Sequence, residues 1–248
     1  MTRSVALAAL AALLACAHGP SPKDLKAAEI HHDLGVEALR NGRAQEALKE
    51  FDTALQFDPK FAQAHLGRGL ALEFGFAKLE DAEQEYRKAL ALQPDYPEAQ
   101  NNLGQLLAKA GRYDEALAAF DAALADLMYR EPYVARCNKG QALWRMGRKE
   151  QGYAELRSCL AIAPRYCDGH RELARLLNQD GRTRESLDAL NAYVANCDKR
   201  ADAHWALGMA RMKAGDTPGA LEAFRRCVEL GPTTPEGESC RKTLSALE

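Results

Sequence analysis

From residue 28 onward, small and aromatic residues return at a fixed interval against a largely polar background. LGVEALRNGRAQEALKEFDTALQFDP begins at Leu34, LGQLLAKAGRYDEALAAFDAAL at Leu103 and LGMARMKAGDTPGALEAFRRCVELGP at Leu207. A 34-residue unit that places Leu-Gly at positions 7 and 8 starts at Ala28, Ala62, Pro97, Tyr133, Cys167 and Ala201. Position 8 reads Gly35, Gly69, Gly104, Gly140, Ala174 and Gly208, small enough for two helices to approach closely. Position 15 is Gly42, Gly111, Gly147, Gly181 and Gly215 in all units but the second, which predicts the turn between paired helices. Allowing one inserted residue in the second unit, position 20 is Ala47, Ala82, Ala116, Gly152, Ser186 and Ala220. Position 24 is Phe51, Tyr86, Phe120, Leu156, Leu190 and Phe224, and Pro59, Pro94, Pro164 and Pro232 stand at position 32.

These positions resemble the tetratricopeptide repeat. The resemblance implies an all-α fold, a right-handed superhelical solenoid of six repeats over residues 28–234, each repeat two antiparallel helices. Its departures are local: Met128 replaces the third proline and Glu131-Pro132 are inserted before the fourth unit, where a small kink is expected. A stack of repeats leaves its last apolar face bare. Residues 235–248 supply a capping helix, with Leu244 and Leu247 expected on its inner face. At the other end Ser21-Pro22 reads as an N-cap with a first-turn proline, so residues 16–27 form a short linker and the start of the first helix.

Ahead of this lies a different pattern. Arg3 is followed by an apolar run from Val5 to Ala15, roughly half of what a spanning helix needs, so residues 1–15 read as a secretory signal. Leu13-Leu14-Ala15-Cys16 resembles the lipobox of bacterial lipoproteins, which implies cleavage before Cys16 and acylation of its thiol. Ala17, in place of the Asp associated with inner-membrane retention, implies a lipid-anchored protein of the outer membrane that faces the periplasm. About five residues then separate the lipid from folded structure, a reach of at most roughly 17 Å.

Charge and chemistry narrow the function by exclusion. Lys and Arg number 33 and Asp and Glu 35, mixed along the chain, so nothing points to nucleic acid. His31, His65, His170 and His204 all fall at position 4, copies of one slot on successive helices rather than ligands converging on a metal. No phosphate-binding loop, nucleophile elbow or carboxylate pair is found, so no enzyme, cofactor or small-molecule substrate is expected.

The cysteines say more. Besides Cys16 there are Cys137, Cys159, Cys167, Cys197, Cys227 and Cys240, an even number, as in disulfide-bonded proteins of oxidising compartments. Cys137 and Cys159 occupy positions 5 and 27 of repeat four, and Cys167 and Cys197 positions 1 and 31 of repeat five. Both pairs have the constant sum expected of facing positions in an antiparallel hairpin, and Cys227 should meet Cys240 at the start of the cap. The alternative is that some remain buried thiols.

In this repeat family, first-helix positions 2, 5, 9 and 12 or 13 line a concave groove. Here they are Leu66, Leu70 and Phe74; Asn101, Gln105 and Lys109; Gln141 and Trp144; and Trp205, Met209 and Met212. Apolar residues there suggest a site for a protein partner, unless neighbouring helices cover them. The Lys and Asn that clamp a terminal carboxylate at positions 5 and 9 in a chaperone-binding subclass are absent. Lipobox, six repeats and late cysteines together resemble the pilotin lipoproteins of type IV pilus systems, the gliding-motility pilotin in particular. That resemblance implies a non-enzymatic factor that binds secretin subunits and promotes their outer-membrane insertion and multimerisation. The rival reading is a lipid-anchored adaptor for another envelope assembly or export machine.

Overall fold

The computed structural model describes residues 19–247, so the signal segment and Cys16 lie outside the described residues. The described chain is all helical, with no strand, and it divides into two compact units at Tyr129 and Arg130. The division falls where Met128 takes the place of the third repeat's proline.

The first unit contains three hairpins. They are α1 (Pro22–Arg40) with α2 (Ala44–Phe57), α3 (Ala62–Leu70) with α4 (Leu79–Leu92), and α5 (Pro97–Lys109) with α6 (Tyr113–Ala125). The second unit repeats the plan with α7 (Pro132–Arg145) and α8 (Lys149–Ile162), α9 (Cys167–Gln179) and α10 (Thr183–Asn196), α11 (Ala201–Lys213) and α12 (Thr217–Leu230). It ends with α13 (Pro235–Leu247).

Each hairpin is held by the pairing of position 8 with position 24. Phe51, Tyr86, Phe120 and Phe224 are fully buried. A β-carbon added to Gly35 or Gly104 would lie 2.7 Å from the facing ring, and one on Gly69 or Gly208 2.5 Å from it. The glycines are therefore required by the rings they receive. Between the helices, Gly42, Gly111, Gly147, Gly181 and Gly215 adopt φ of 71° to 84°, the left-handed geometry that closes a helix C-terminus.

The second repeat solves the same problem differently. Its one extra residue is absorbed by a π-helical turn, Ala71–Gly75, that continues α3. Ala77 then stands in the left-handed glycine slot with φ of 53°. Its N–H reaches the Glu73 carbonyl at 3.2 Å and that of Lys78 reaches Leu72 at 3.0 Å, each one residue further back than in the first hairpin.

The ends differ in how well they are finished. Ser21 and Asp24 form a reciprocal capping box ahead of Pro22, which fixes where α1 begins. On α13, Gly237 and Cys240 are buried and Leu244 packs against Ala220, Phe224 and Cys227. Leu247, expected on the inner face, is instead 38% exposed, because the helix is pinned through Cys240 and its last turn extends past the core it covers.

The structure joins Cys137 to Cys159, Cys167 to Cys197 and Cys227 to Cys240. All three bonds lie in the second unit: one within each of its first two hairpins, and one tying α13 to α12. Among the described residues, no helix is long and apolar enough to cross a membrane.

Candidate functional site

In the second unit, α9, α10 and α11 enclose a cleft of about 560 Å³. Its floor is apolar: Ala174, Leu190 and Tyr193 belong to the buried core, and Ala206 and Ala210 pack beside them. The walls come from the register positions read as concave. Trp205 and Met209 are positions 5 and 9 of α11, and Arg171, Arg175 and Asn178 are positions 5, 9 and 12 of α9. Lys213, Asp202 and Glu236 complete the rim.

Most of the rim charges are already engaged. Arg175 donates to Glu172 at 2.6 and 2.8 Å. Burial raises the Glu172 pKa, but the bonds from Arg175 and Gln141 outweigh it and hold the carboxyl below its ordinary range. Asp202 accepts from Tyr193 at 2.8 Å and from both arms of Arg200. Trp205 and Met209, by contrast, are 37% and 44% exposed, and the Trp205 indole N–H and the Lys213 ammonium find no partner among the described residues. The cleft therefore offers an indole face, a thioether, a free N–H donor and a free cation over an apolar floor. A surface of this composition is suited to an extended or helical peptide.

The other candidate positions divide. Met212 is 36% exposed on α11 beside the cleft, and Phe74 is 60% exposed on the π-helical turn, with the Lys109 ammonium 4.8 Å from its ring centroid. Lys109 also bonds the buried Glu73 at 2.6 Å, which accepts from Tyr86 at 2.8 Å. Leu70 and Gln105 are half-buried. Leu66 and Asn101, at 7% and 6% exposure, are packed inside the first unit and are not available to a partner.

Repeat four requires the largest correction. Gln141 donates to Glu172 of α9 at 2.6 Å. The half-buried Trp144 donates its indole N–H to Asp180 at 2.9 Å, and the same carboxylate takes the Tyr153 hydroxyl at 2.7 Å and the Lys149 ammonium at 2.6 Å. The bond from Lys149 foremost brings Asp180 down to about 2, while burial together with Asp180 raises Tyr153 to about 12. Gln141 and Trp144 thus hold the next hairpin in place. The Asp180 hub escapes sequence reading, because nothing local marks one acid at a turn as the acceptor for three donors. Arg171, Arg175 and Asn178 stand at positions 5, 9 and 12 of repeat five, so the register that singles out Trp205 could have found them too.

The position-4 slot also has a structural use. His65, His170 and His204 place Nε2 at 3.1, 2.8 and 3.3 Å from the carbonyl oxygens of Pro59, Pro164 and Asp198, six residues back, and Gln100 donates likewise to Pro94 at 3.2 Å. These bonds tie α3, α5, α9 and α11 to the loops before them. Among the described residues no group of three or more His, Cys, Asp or Glu is arranged to hold a metal.

Sequence profiles described as tetratricopeptide repeat match residues 28–61, 72–130, 133–166 and 171–235. A stretch of 107 residues is 33% identical to the type IV pilus assembly protein PilF of Pseudomonas aeruginosa, covering 43% of this chain and 42% of that protein. The chain thus spans less than half of that relative's length. Among solved structures, PilW, described as a widely conserved type IV pilus biogenesis factor, is 28% identical with a TM-score of 0.74, over 86% of this chain and 97% of that one. The solved PilF of Pseudomonas aeruginosa shares the fold at 22% identity, with a TM-score of 0.71 over 89% and 99% of the two chains.

Proposed function

Because the chain belongs to the tetratricopeptide repeat family, whose stacked hairpins present surfaces to other polypeptides, we propose that it is a non-enzymatic assembly factor of a type IV pilus system. The likeness to PilW across most of the chain supports the pilus context. The observation that carries the binding role is the cleft between α9, α10 and α11, with Trp205, Met209 and Lys213 uncommitted at its mouth.

The finer reading is a pilotin of the gliding-motility kind. Cys16 carries acyl chains that hold the protein on the outer membrane, the repeats face the periplasm, and the cleft takes a segment of a secretin subunit. The anchor then brings that subunit to the bilayer where it inserts and multimerises. Acyl chains contribute about 0.8 kcal/mol per buried methylene, so two or three suffice for durable attachment.

Co-purification from envelope extract tests the partner. Secretin subunits should come down with the parent protein, and fail to do so with Trp205→Ala/Met209→Ala at equal abundance. A parent protein that brings down no secretin would refute the pilotin reading. The anchor is tested separately: fatty-acid labelling should require Cys16, and Cys16→Ala should leave a folded protein that is lost from the outer membrane.

A further inference from the structure

Among the described residues, nothing covers an apolar stripe on the first helix. On α1, Ala27, Ile30 and Leu34 lie on one face at helical spacing, and Ile30 and Leu34 are 50% and 45% exposed. These are positions 3 and 7 of the repeat for Ile30 and Leu34. Within the two units, the same positions of later repeats are closed by the hairpin before them. Ala64, Ala99 and Ala203 at position 3 are fully buried, and Leu103, Leu173 and Leu207 at position 7 are 4% to 7% exposed.

Ile30 is too large for that manner of closure. At Gly169, the position-3 residue of repeat five, even a β-carbon would come within 3.0 Å of Leu160 on the preceding hairpin. Elsewhere the slot is alanine or glycine. A second copy stacked head to tail on α1 in the regular register would collide with the Ile30 side chain. What covers the stripe has to accommodate a branched side chain without a shaped socket, and fluid hydrocarbon does so.

Chain geometry supplies the occupant. The capping box at Ser21 fixes the start of α1, and Cys16 precedes that residue by five positions, within roughly 17 Å of extended chain. Ile30 is a further 8 residues along the helix from Pro22, about 12 Å of rise. Lys23, exposed and without an ion pair among the described residues, sits one turn ahead of Ala27 on the same face, where its ammonium can reach lipid headgroups while its stem follows the stripe. Glu37 closes the stripe at its far end, so contact is confined to the first three turns.

We propose that the Lys23–Ala27–Ile30–Leu34 face of α1 lies against the phospholipid bilayer that holds the protein's acyl anchor, so that α1 orients the repeats on the membrane. This inference rests on lipidation of Cys16, and the test separates the two. Full-length protein bearing Ile30→Trp is purified with its lipid and reconstituted into phosphatidylethanolamine and phosphatidylglycerol vesicles, with or without brominated acyl chains. A parallel protein carries Glu29→Trp on the opposite side of α1. Intact mass reports the anchor, and difference emission against the parent isolates the new indole.

The expected result is several-fold quenching of the Ile30→Trp emission by brominated lipid, with the Glu29→Trp emission unchanged. Equal emission in both vesicle types from an acylated protein would overturn the proposal while leaving the anchor intact. A dimer in detergent that Ile30→Asp dissolves would assign the face to a second copy and overturn it too. An unmodified mass would instead remove the lipidation reading, and this inference with it.

Discussion

Trp144 and Trp205 stand on equivalent faces of α7 and α11, yet the structure assigns them opposite roles, and two single substitutions separate them. Truncating a buried Trp to Ala typically costs about 3 to 5 kcal/mol, and half-burial brings that to about 2. Trp144→Ala also removes one of three donors from Asp180, worth about 1 kcal/mol, for a total of about 3 kcal/mol. Trp144→Phe retains the ring, so it should cost little more than the lost hydrogen bond. Trp205 is 37% exposed and its N–H is unbonded among the described residues, so Trp205→Ala should cost under about 1 kcal/mol. As an anchor in a partner interface, however, its loss should weaken binding by about 2 kcal/mol or more, roughly thirtyfold. Urea unfolding of the oxidised protein, followed by helical circular dichroism, reads the first quantity. Trp144→Ala should lower the midpoint by about 1 to 2 M and Trp205→Ala hardly at all. Titration of each variant with the captured secretin segment reads the second. A Trp144→Ala midpoint equal to that of the parent, or a Trp205→Ala midpoint lowered as far, would refute the division of roles.

Non-reducing peptide mapping of protein made in an oxidising compartment should recover Cys137–Cys159, Cys167–Cys197 and Cys227–Cys240, which close loops of 22, 30 and 13 residues. Each loop should stabilise by about 3 kcal/mol in the chain-entropy estimate, so reduction should speed hydrogen exchange in residues 130–248 and spare residues 19–129. Ala77→Gly should stabilise by about 1 kcal/mol, since it relieves a left-handed alanine; an unchanged melting midpoint would show that the π-helical turn relaxes instead. Glu85, beneath His65, Arg68 and Lys88, and Asp180 are both depressed to about 2, from 4.5 and 3.8. Because their folded values lie below the unfolded ones, their contribution is complete above about pH 5 and is lost as pH falls toward 2; a stability profile that declines from pH 7 to 5 instead would assign acid sensitivity to other groups.

Much of the helical plan is legible in the sequence because its signals are local. Gly42, Gly111, Gly147, Gly181 and Gly215 each mark a left-handed residue, and each buried ring at position 24 is preceded by the small residue that admits it. The second repeat marks where this reading ends. One extra residue between Gly69 and Ala82 is visible from the register, but its absorption at Ala71–Gly75 is not. The site of the bulge depends on burying Glu73 under Lys109 and Tyr86, partners 36 and 13 residues away. A one-dimensional pattern carries no record of such distances.

The same limit explains why the groove positions were half legible. Register specifies which way a first-helix residue faces, and Trp205 and Met209 are partly exposed on α11. It does not specify what the following hairpin places opposite that residue. Gln141 and Trp144 have a successor, and α9 with its closing turn offers them Glu172 and Asp180. Beyond the hairpin of α11 and α12, the described residues supply only α13, which brings Glu236 to the rim but no acceptor to the Trp205 indole. A residue that would tie an interior hairpin to its neighbour therefore stays open at the end of the stack. Ile30 on α1 is open for the complementary reason, having no hairpin before it among the described residues. Within each unit the hairpins satisfy one another in sequence, and Ile30 and Trp205 stand on first helices to which the described residues bring no such neighbour.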